Sequence, residues 1–161
     1  MRTLKRPKTS WRSGTSRFCR MPADKFLFSA ELTDVERDNI REALEQHSAP
    51  RAPGLNARPV EIALRDNSGH LVGGLLGSTA WDWLLIDLLW LDDACRGQGL
   101  GAGLLAQAEY QARDLGCTHA RAETFDFQAL PFYQQHGYEV YAQLEDFPKG
   151  HTEYQLRKKL T

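Results

Sequence analysis

The sequence is poor in the residues that staple small secreted folds. It has only three cysteines, Cys19, Cys95 and Cys117. An odd, widely spaced set of this kind builds neither a disulfide framework nor a metal site, and it favours a reducing compartment. A cytoplasmic location is therefore expected. The five histidines, His47, His70, His119, His136 and His151, show no ligand spacing, so no metal is expected. No apolar run reaches membrane-span length, because Asp82 and Asp87 interrupt the longest, so no membrane contact is expected. Acidic residues are missing from the first 20 positions, which carry Arg2, Lys5, Arg6, Lys8, Arg12, Arg17 and Arg20. The whole chain has 20 Lys and Arg, so 13 remain beyond position 20 against 21 Asp and Glu, a charge of about −8. That negative field favours a cationic amine as partner and disfavours nucleic acid.

With 161 residues there is length for one domain with a real core. We divide it into a basic, disordered extension over residues 1–22 and a folded domain over residues 23–161. Three readings of the extension stand side by side. It is an arm for nucleic acid or anionic surfaces, a transit peptide, or an upstream extension with Met21 as the working start. We favour a tail with no catalytic role, because it lacks apolar periodicity.

What the sequence does contain is organised around residues 81–116. Trp83-Leu84-Leu85-Ile86-Asp87-Leu88-Leu89-Trp90-Leu91 is apolar almost throughout, as a strand buried on both faces would be, and Trp81 is expected to begin it. Arg96-Gly97-Gln98-Gly99-Leu100-Gly101-Ala102-Gly103 follows. Then Leu104, Leu105, Ala108 and Leu115 recur at helical spacing, and Gly116 stands where a helix ends. Small residues at a helix start let backbone N–H groups approach an anion, and the helix end adds a partial positive charge. Arg96 adds a full charge at the mouth. The dinucleotide pattern G-x-G-x-x-G fails, since its third glycine falls on Ala102 or Leu104, and no P-loop Gly-Lys-Ser/Thr exists. What fits is Arg/Gln-x-x-Gly-x-Gly/Ala, filled by Arg96, Gly99 and Gly101. This resembles the pyrophosphate loop of the GNAT superfamily of N-acetyltransferases.

Along the chain, Phe26-Leu27-Phe28 reads as a first strand. Thr33 and Glu36 form a capping box ahead of an amphipathic helix from Asp34 to about His47. A proline-rich loop over 48–59 leads to a strand at Val60–Arg65, a turn at Asp66–Gly69 and a returning strand over 70–77, whose glycines permit close backbone approach. After the glycine loop and its helix, Thr118–Phe125 is a strand. Its helical connection to the preceding strand makes the two parallel, and parallel strands can splay into a crevice. A short helix reaches His136, and Gly137 ends it. Strands then start at Tyr138 and at His151. Gln128-Ala129-Leu130-Pro131-Phe132-Tyr133-Gln134-Gln135-His136-Gly137-Tyr138 is similar to the second GNAT signature. The resemblance spans about residues 24–160, and Asp146–His151 is similar to a bacterial small-molecule subgroup.

The resemblance implies a mixed α/β fold: a mostly antiparallel sheet of six or seven strands with helices on both faces. It implies direct transfer of an acetyl group from acetyl-coenzyme A to a primary amine of a small, cationic acceptor. A protein N-terminus or lysine is the alternative acceptor, and a non-catalytic coenzyme A-binding regulator is the rival reading. The implied cofactor contacts are the backbone of Leu89, Trp90 and Leu91, the loop residues Arg96, Gly97, Gln98, Gly99, Leu100, Gly101 and Ala102, and Asp126. Asp126 stands where the family often has Asn. Tyr133 matches the family tyrosine and is expected to be the general acid, since a phenol with pKa near 10 is protonated at neutral pH. The general base is open between Asp87, a carboxylate in an apolar strand that demands a partner, and Glu123. His151 and a water chain are the other options. The place where some family members carry a base Glu holds Arg121. Cys95 reads as a small buried residue or as a thiol activated near a helix end. Trp81, Trp83 and Trp90 read as core or as an aromatic wall for a cation. The family commonly forms homodimers, which the sequence does not decide.

Overall fold

The computed structural model describes residues 29–52 and 54–160. The basic extension, its boundary with the folded domain and the strand expected at Phe26–Phe28 lie outside the described residues. The chain divides between Glu45 and Gln46 into two compact units. Helix α1, Asp34–Ser48, lies mostly in the first, and its last three residues fall in the second. Its start is the expected capping box. The Thr33 N–H and hydroxyl both donate to the Glu36 carboxylate at 2.7 Å, and the Glu36 N–H donates back to Thr33 Oγ1 at 3.3 Å. These bonds favour the ionised acid and hold Glu36 below the usual carboxylate range. Val35, Ile40 and Leu44 form its exposed apolar stripe.

The second unit is built on six strands: β1 (Pro59–Arg65), β2 (Leu71–Ala80), β3 (Trp83–Leu91), β4 (His119–Phe125), β5 (Glu139–Glu145) and β6 (Thr152–Lys159). They lie in the order β1-β2-β3-β4-β6-β5, antiparallel except for β3 beside β4. This is the mixed sheet expected. Helix α2, Leu100–Asp114, joins the parallel pair, and α3, Leu130–Gln135, follows β4. Asp66 closes the β1–β2 hairpin by accepting the N–H groups of Ser68 and His70, with Gly69 at positive φ. Gly116 ends α2 as expected: its N–H reaches Arg113 and the Cys117 N–H reaches Ala112, a Schellman closure. Among the described residues no helix is long and apolar enough to cross a membrane.

One core holds this unit together. Leu84 and Ile86 of β3, Ala120 and Ala122 of β4 and Leu156 of β6 pack with Leu105, Ala108 and Ala112 of α2 and with Tyr133 and Tyr138. The alanines let helix and sheet approach closely. Glu109 of α2 is buried, and its cost is offset by the Lys158 ammonium at 2.7 and 2.8 Å and the Tyr138 hydroxyl at 3.2 Å. Burial and the Glu109 charge push the Tyr138 phenol far above its ordinary value.

Two expectations for the central strand need correction. Trp81 does not begin β3; it sits in the preceding turn with φ of 54° and is exposed. Nor is β3 buried on both faces throughout. Leu84 and Ile86 are buried, whereas Asp87, Leu88 and Trp90 are exposed. A break in the ladder coincides with this change. Leu76 of β2 pairs with Leu88 and Gly77 pairs with Ile86, which leaves Asp87 as the extra residue of a β-bulge. Gly77 is required at that point: a Cβ there would lie 2.4 Å from the Leu85 carbonyl oxygen.

Candidate active site

β3 and β4 pair only from Trp83 opposite His119 to Ile86 opposite Ala122. Beyond that point β3 stays with β2 as far as Leu91, and β4 stays with β6 as far as Phe125. Each strand follows its own neighbour, so the pair splays. The gap is the mouth of a cleft of about 800 Å³. Asp87 to Leu91 form one wall, Glu123 and Thr124 the other, and the glycine loop and α3 close the ends. The edge of β3 facing the splay carries backbone groups with no strand beside them.

The glycine loop is shaped by its own polar contacts. The Asp92 carboxylate accepts the Ala94 N–H at 3.0 Å and opens a 3₁₀ turn over Asp93–Cys95. Gln98 donates its side-chain amide to the Ala94 carbonyl at 2.9 Å. Gly97 and Gly99 have φ of 72° and 80°, and Gly99 is the N-cap of α2. The first helical bond here runs from the Gly103 N–H to the Gly99 carbonyl. The N–H groups of Gly97 through Ala102 donate to no other group among the described residues. A run of free donors at the start of a 15-residue helix, with no acid in its first turn, suits an anion. Arg96 lines the cleft and is held there by the chain itself. Its guanidinium donates twice to the Leu91 carbonyl at 3.3 Å and pairs with Asp93 at 2.9 Å, so it ties the loop to the end of β3.

Tyr133 stands on α3 at the cleft, 5% exposed. Phe132 and Tyr138 hold its ring edge-on, at 5.3 and 5.4 Å. No described residue hydrogen-bonds its hydroxyl, and that oxygen is not sealed from solvent. Burial pushes the phenol up to about 12. The helix is anchored at its start by the Ala129 N–H on Thr124 Oγ1 at 3.2 Å. Of the two wall carboxylates, Glu123 is ion-paired with Arg121 on its own strand. Asp87 has no side-chain partner among the described residues.

Comparison with known proteins agrees with this geometry. The Acetyltransferase (GNAT) family profile matches residues 25–138. The chain is 46% identical over 114 residues to the blasticidin-S acetyltransferase of Streptomyces morookaense, covering 68% of this chain and 84% of that protein. The chain belongs to the GNAT acetyltransferase family. An acetyltransferase of Agrobacterium fabrum (strain C58) is 33% identical over 81% of this chain and 96% of its own length. The crystal structure of an acetyltransferase from Bacillus cereus ATCC 14579 superposes with a TM-score of 0.78 at 31% identity, over 83% of this chain and 98% of the other.

The cleft of this GNAT enzyme gathers Asp87, Leu89, Trp90, Leu91, Arg96, Gly97, Gly99, Leu100, Gly101, Ala102, Glu123 and Tyr133. Two residues expected at the cofactor stand outside its lining. Gln98 braces the loop, and Asp126 holds His151 Nδ1 at 3.0 Å and accepts the Thr152 N–H at 3.3 Å. Nor do the tryptophans form one wall. Trp90 lines the cleft, while Trp83 stacks on His119 at 4.6 Å, at the opposite end of the strand. Cys95 is half-buried in the 3₁₀ turn. Sequence reasoning missed Phe127, Gln128 and His136 as lining residues. The signal available was their position: they flank α3 immediately after the second parallel strand, where a splayed pair opens.

Proposed function

We propose that this GNAT enzyme transfers the acetyl group of acetyl-coenzyme A directly to a primary amine of a small, cationic molecule, with Tyr133 as general acid. The observation that carries the reading is the Tyr133 hydroxyl: unpartnered, buried, protonated far above neutrality, and open to the same cleft as the free N–H groups of the glycine loop. The residues present fit the cosubstrate. The donors of Gly97 to Ala102 would hold its pyrophosphate, and the unpaired edge of Leu89, Trp90 and Leu91 would take its amide-bearing arm by strand-like pairing. Acetyl-coenzyme A supplies an acyl group already activated as a thioester. A backbone N–H of the β3 edge polarises the acyl carbonyl, as an oxyanion hole does. The C–N bond forms as the C–S bond breaks, Tyr133 gives its proton to the leaving sulfur, and the second proton shed by the nitrogen returns to the Tyr133 oxygen through water.

The amine must first lose a proton. We assign that step to Asp87, directly or through a water, because Glu123 is occupied by Arg121 while Asp87 is not. A carboxylate displayed on a bulge in a cleft wall also draws a cationic amine. The blasticidin-S acetyltransferase relative supports a small-molecule acceptor. The unpaired thiols of Cys95 and Cys117 fit a reducing, cytoplasmic setting.

Thermal unfolding of the full chain with and without acetyl-coenzyme A tests the first half of the reading, because a ligand that binds only the folded state must raise the midpoint. An amine panel read by thiol release tests the second half, with Tyr133→Phe as control. No rise at millimolar cofactor would sink the proposal.

A further inference from the structure

At the C-terminal end of β4 three aromatic rings cluster, and two of them stand where burial would not put them. Phe125 and Phe127 stack at 5.1 Å, nearly parallel, and Phe147 leans on Phe125 at 6.2 Å. Phe127 is 56% exposed and Phe147 49% exposed. The cluster is not loose. Phe127 meets the His151 ring edge-on at 4.8 Å, and His151 is fixed by Asp126, which the Thr152 N–H fixes in turn. Rings held this firmly in water, rather than turned inward, mark a surface built to receive something.

Two observations say what it receives. Phe127 is continuous with the active-site cleft, since it is one of the lining residues. The unpaired charge around it is acidic: Asp87 and Glu123 stand on the cleft walls and Asp126 beside the ring, while the guanidinium groups nearby, Arg96 in the lining and Arg121 on β4, are already ion-paired with Asp93 and Glu123. An exposed ring face attracts a cation, and it attracts a flat, conjugated cation best, because stacking adds to the charge. A saturated cation of the same charge gains only the second effect.

We infer that Phe127 is the platform of an acceptor subsite selective for a flat, conjugated cation, such as an amidinium, a guanidinium or a protonated aminoheterocycle, whose primary amine lies on an arm reaching toward Tyr133. Asp126 and His151 are positioning residues that set the angle of the platform. The inference rests on the acetyl-transfer reading for the identity of the cleft, and adds to it the class of molecule.

The test is direct binding, so that it does not depend on turnover. Benzamidine and its saturated counterpart cyclohexanecarboxamidine carry the same charge on rings of similar size. Calorimetric titration of each into the full-length protein should show benzamidine binding at least about ten-fold more tightly. In Phe127→Leu, which keeps apolar volume and removes the π face, the ratio should fall below about three-fold. Asp126→Asn should lower the ratio part-way and shift the ring signals of Phe127 in NMR spectra, which a purely structural loss would not do selectively. Equal binding of the two amidines, no binding of either at millimolar concentration, or an unchanged ratio in Phe127→Leu overturns the proposal. The acetyl-coenzyme A midpoint shift is measured on the same samples. Its retention in Phe127→Leu shows a folded variant, and its absence in the unaltered protein would sink the acetyl-transfer reading without touching the amidine ratio.

Discussion

Between Trp83 and Ile86, β3 is flanked by strands on both edges, and Leu84 is 0% exposed. Between Asp87 and Leu91 the same strand keeps only β2, and Leu88 is 62% exposed. The residue types hardly differ across that point. What differs is the number of partners. The bulge at Asp87 and the departure of β4 convert a core element into the wall of a cleft within one step of the chain. Stability resides in the first half, and the chemistry is assigned to the second. Substitutions on the two sides of Asp87 should therefore fail in different assays.

The largest effect is expected at Tyr133, which belongs to both regions, being packed in the core and open at the cleft. Tyr133→Phe removes only the hydroxyl. It should lower kcat by about 10²–10⁴, the range for loss of a general acid, while the unfolding midpoint stays near that of the parent. A proportional loss of stability and activity would mean that the hydroxyl is structural. Next in size is Leu84→Ala, on the buried side. Truncating a fully enclosed leucine costs about 2–5 kcal/mol, measured by urea unfolding, with KM for acetyl-coenzyme A little changed in the folded fraction.

Titration separates the regions a third way. The folded Tyr133 phenol ionises only at about 12, against about 10 in an unfolded chain. A raised value means that its stability contribution is complete below about pH 10 and is lost as pH rises through 12. That difference corresponds to roughly 3 kcal/mol. Unfolding free energy measured from pH 9 to 12 should fall steeply in the parent and less steeply in Tyr133→Phe. Tyr138, raised further by burial and by Glu109, adds to the same alkaline loss. Parallel curves for parent and variant would show that Tyr133 is not enclosed as described.

How much of this was legible in the sequence follows the same division. The glycine loop, the capping box of α1, the parallel pair and the position of Tyr133 could all be read, because each depends on local chemistry or on spacing along the chain. The bulge could not. An apolar run with one acid reads alike whether that acid is a buried ion or an extra residue on an edge, and only the cross-strand register of Leu76 and Gly77 decides between them. The contacts of Arg96 and Asp126 within the chain could not be read either, for a related reason. Their partners, Asp93 with the Leu91 carbonyl and His151 with the Thr152 N–H, are set by how loops fold back, not by motif position. The aromatic cluster at Phe127 was missed because a search for tryptophans overlooked phenylalanines that tertiary packing leaves in water.

A smaller effect tests the loop. Gly99 has a φ of 80° with nothing near its missing Cβ. Gly99→Ala meets no clash and should cost about 1–2 kcal/mol, the left-handed penalty alone. Any shift of the helix start to relieve it would misalign the free donors of Gly97 to Ala102. The expected result is a modest fall in thermal midpoint with a larger fall in the stabilisation conferred by acetyl-coenzyme A. A variant that loses stability but keeps the full cofactor shift would show that the donors do not hold the pyrophosphate.

The smallest effect is the sharpest test of the comparison. Leu88→Ala removes the same atoms as Leu84→Ala, four residues further along the same strand. Because Leu88 lies past the bulge and is mostly exposed, little apolar surface returns to water and no enclosed cavity forms. The cost should be below about 0.5 kcal/mol, the usual limit for a surface substitution. Leu88 lines the cleft, so a change in KM for the amine or for acetyl-coenzyme A is the expected signature. Urea midpoints of the two variants, measured side by side, decide the matter. A cost at Leu88 comparable to that at Leu84 would place a covering element over the second half of β3 and make the cleft narrower than the described residues show. A cost near zero with altered KM would fix the division of labour at Asp87.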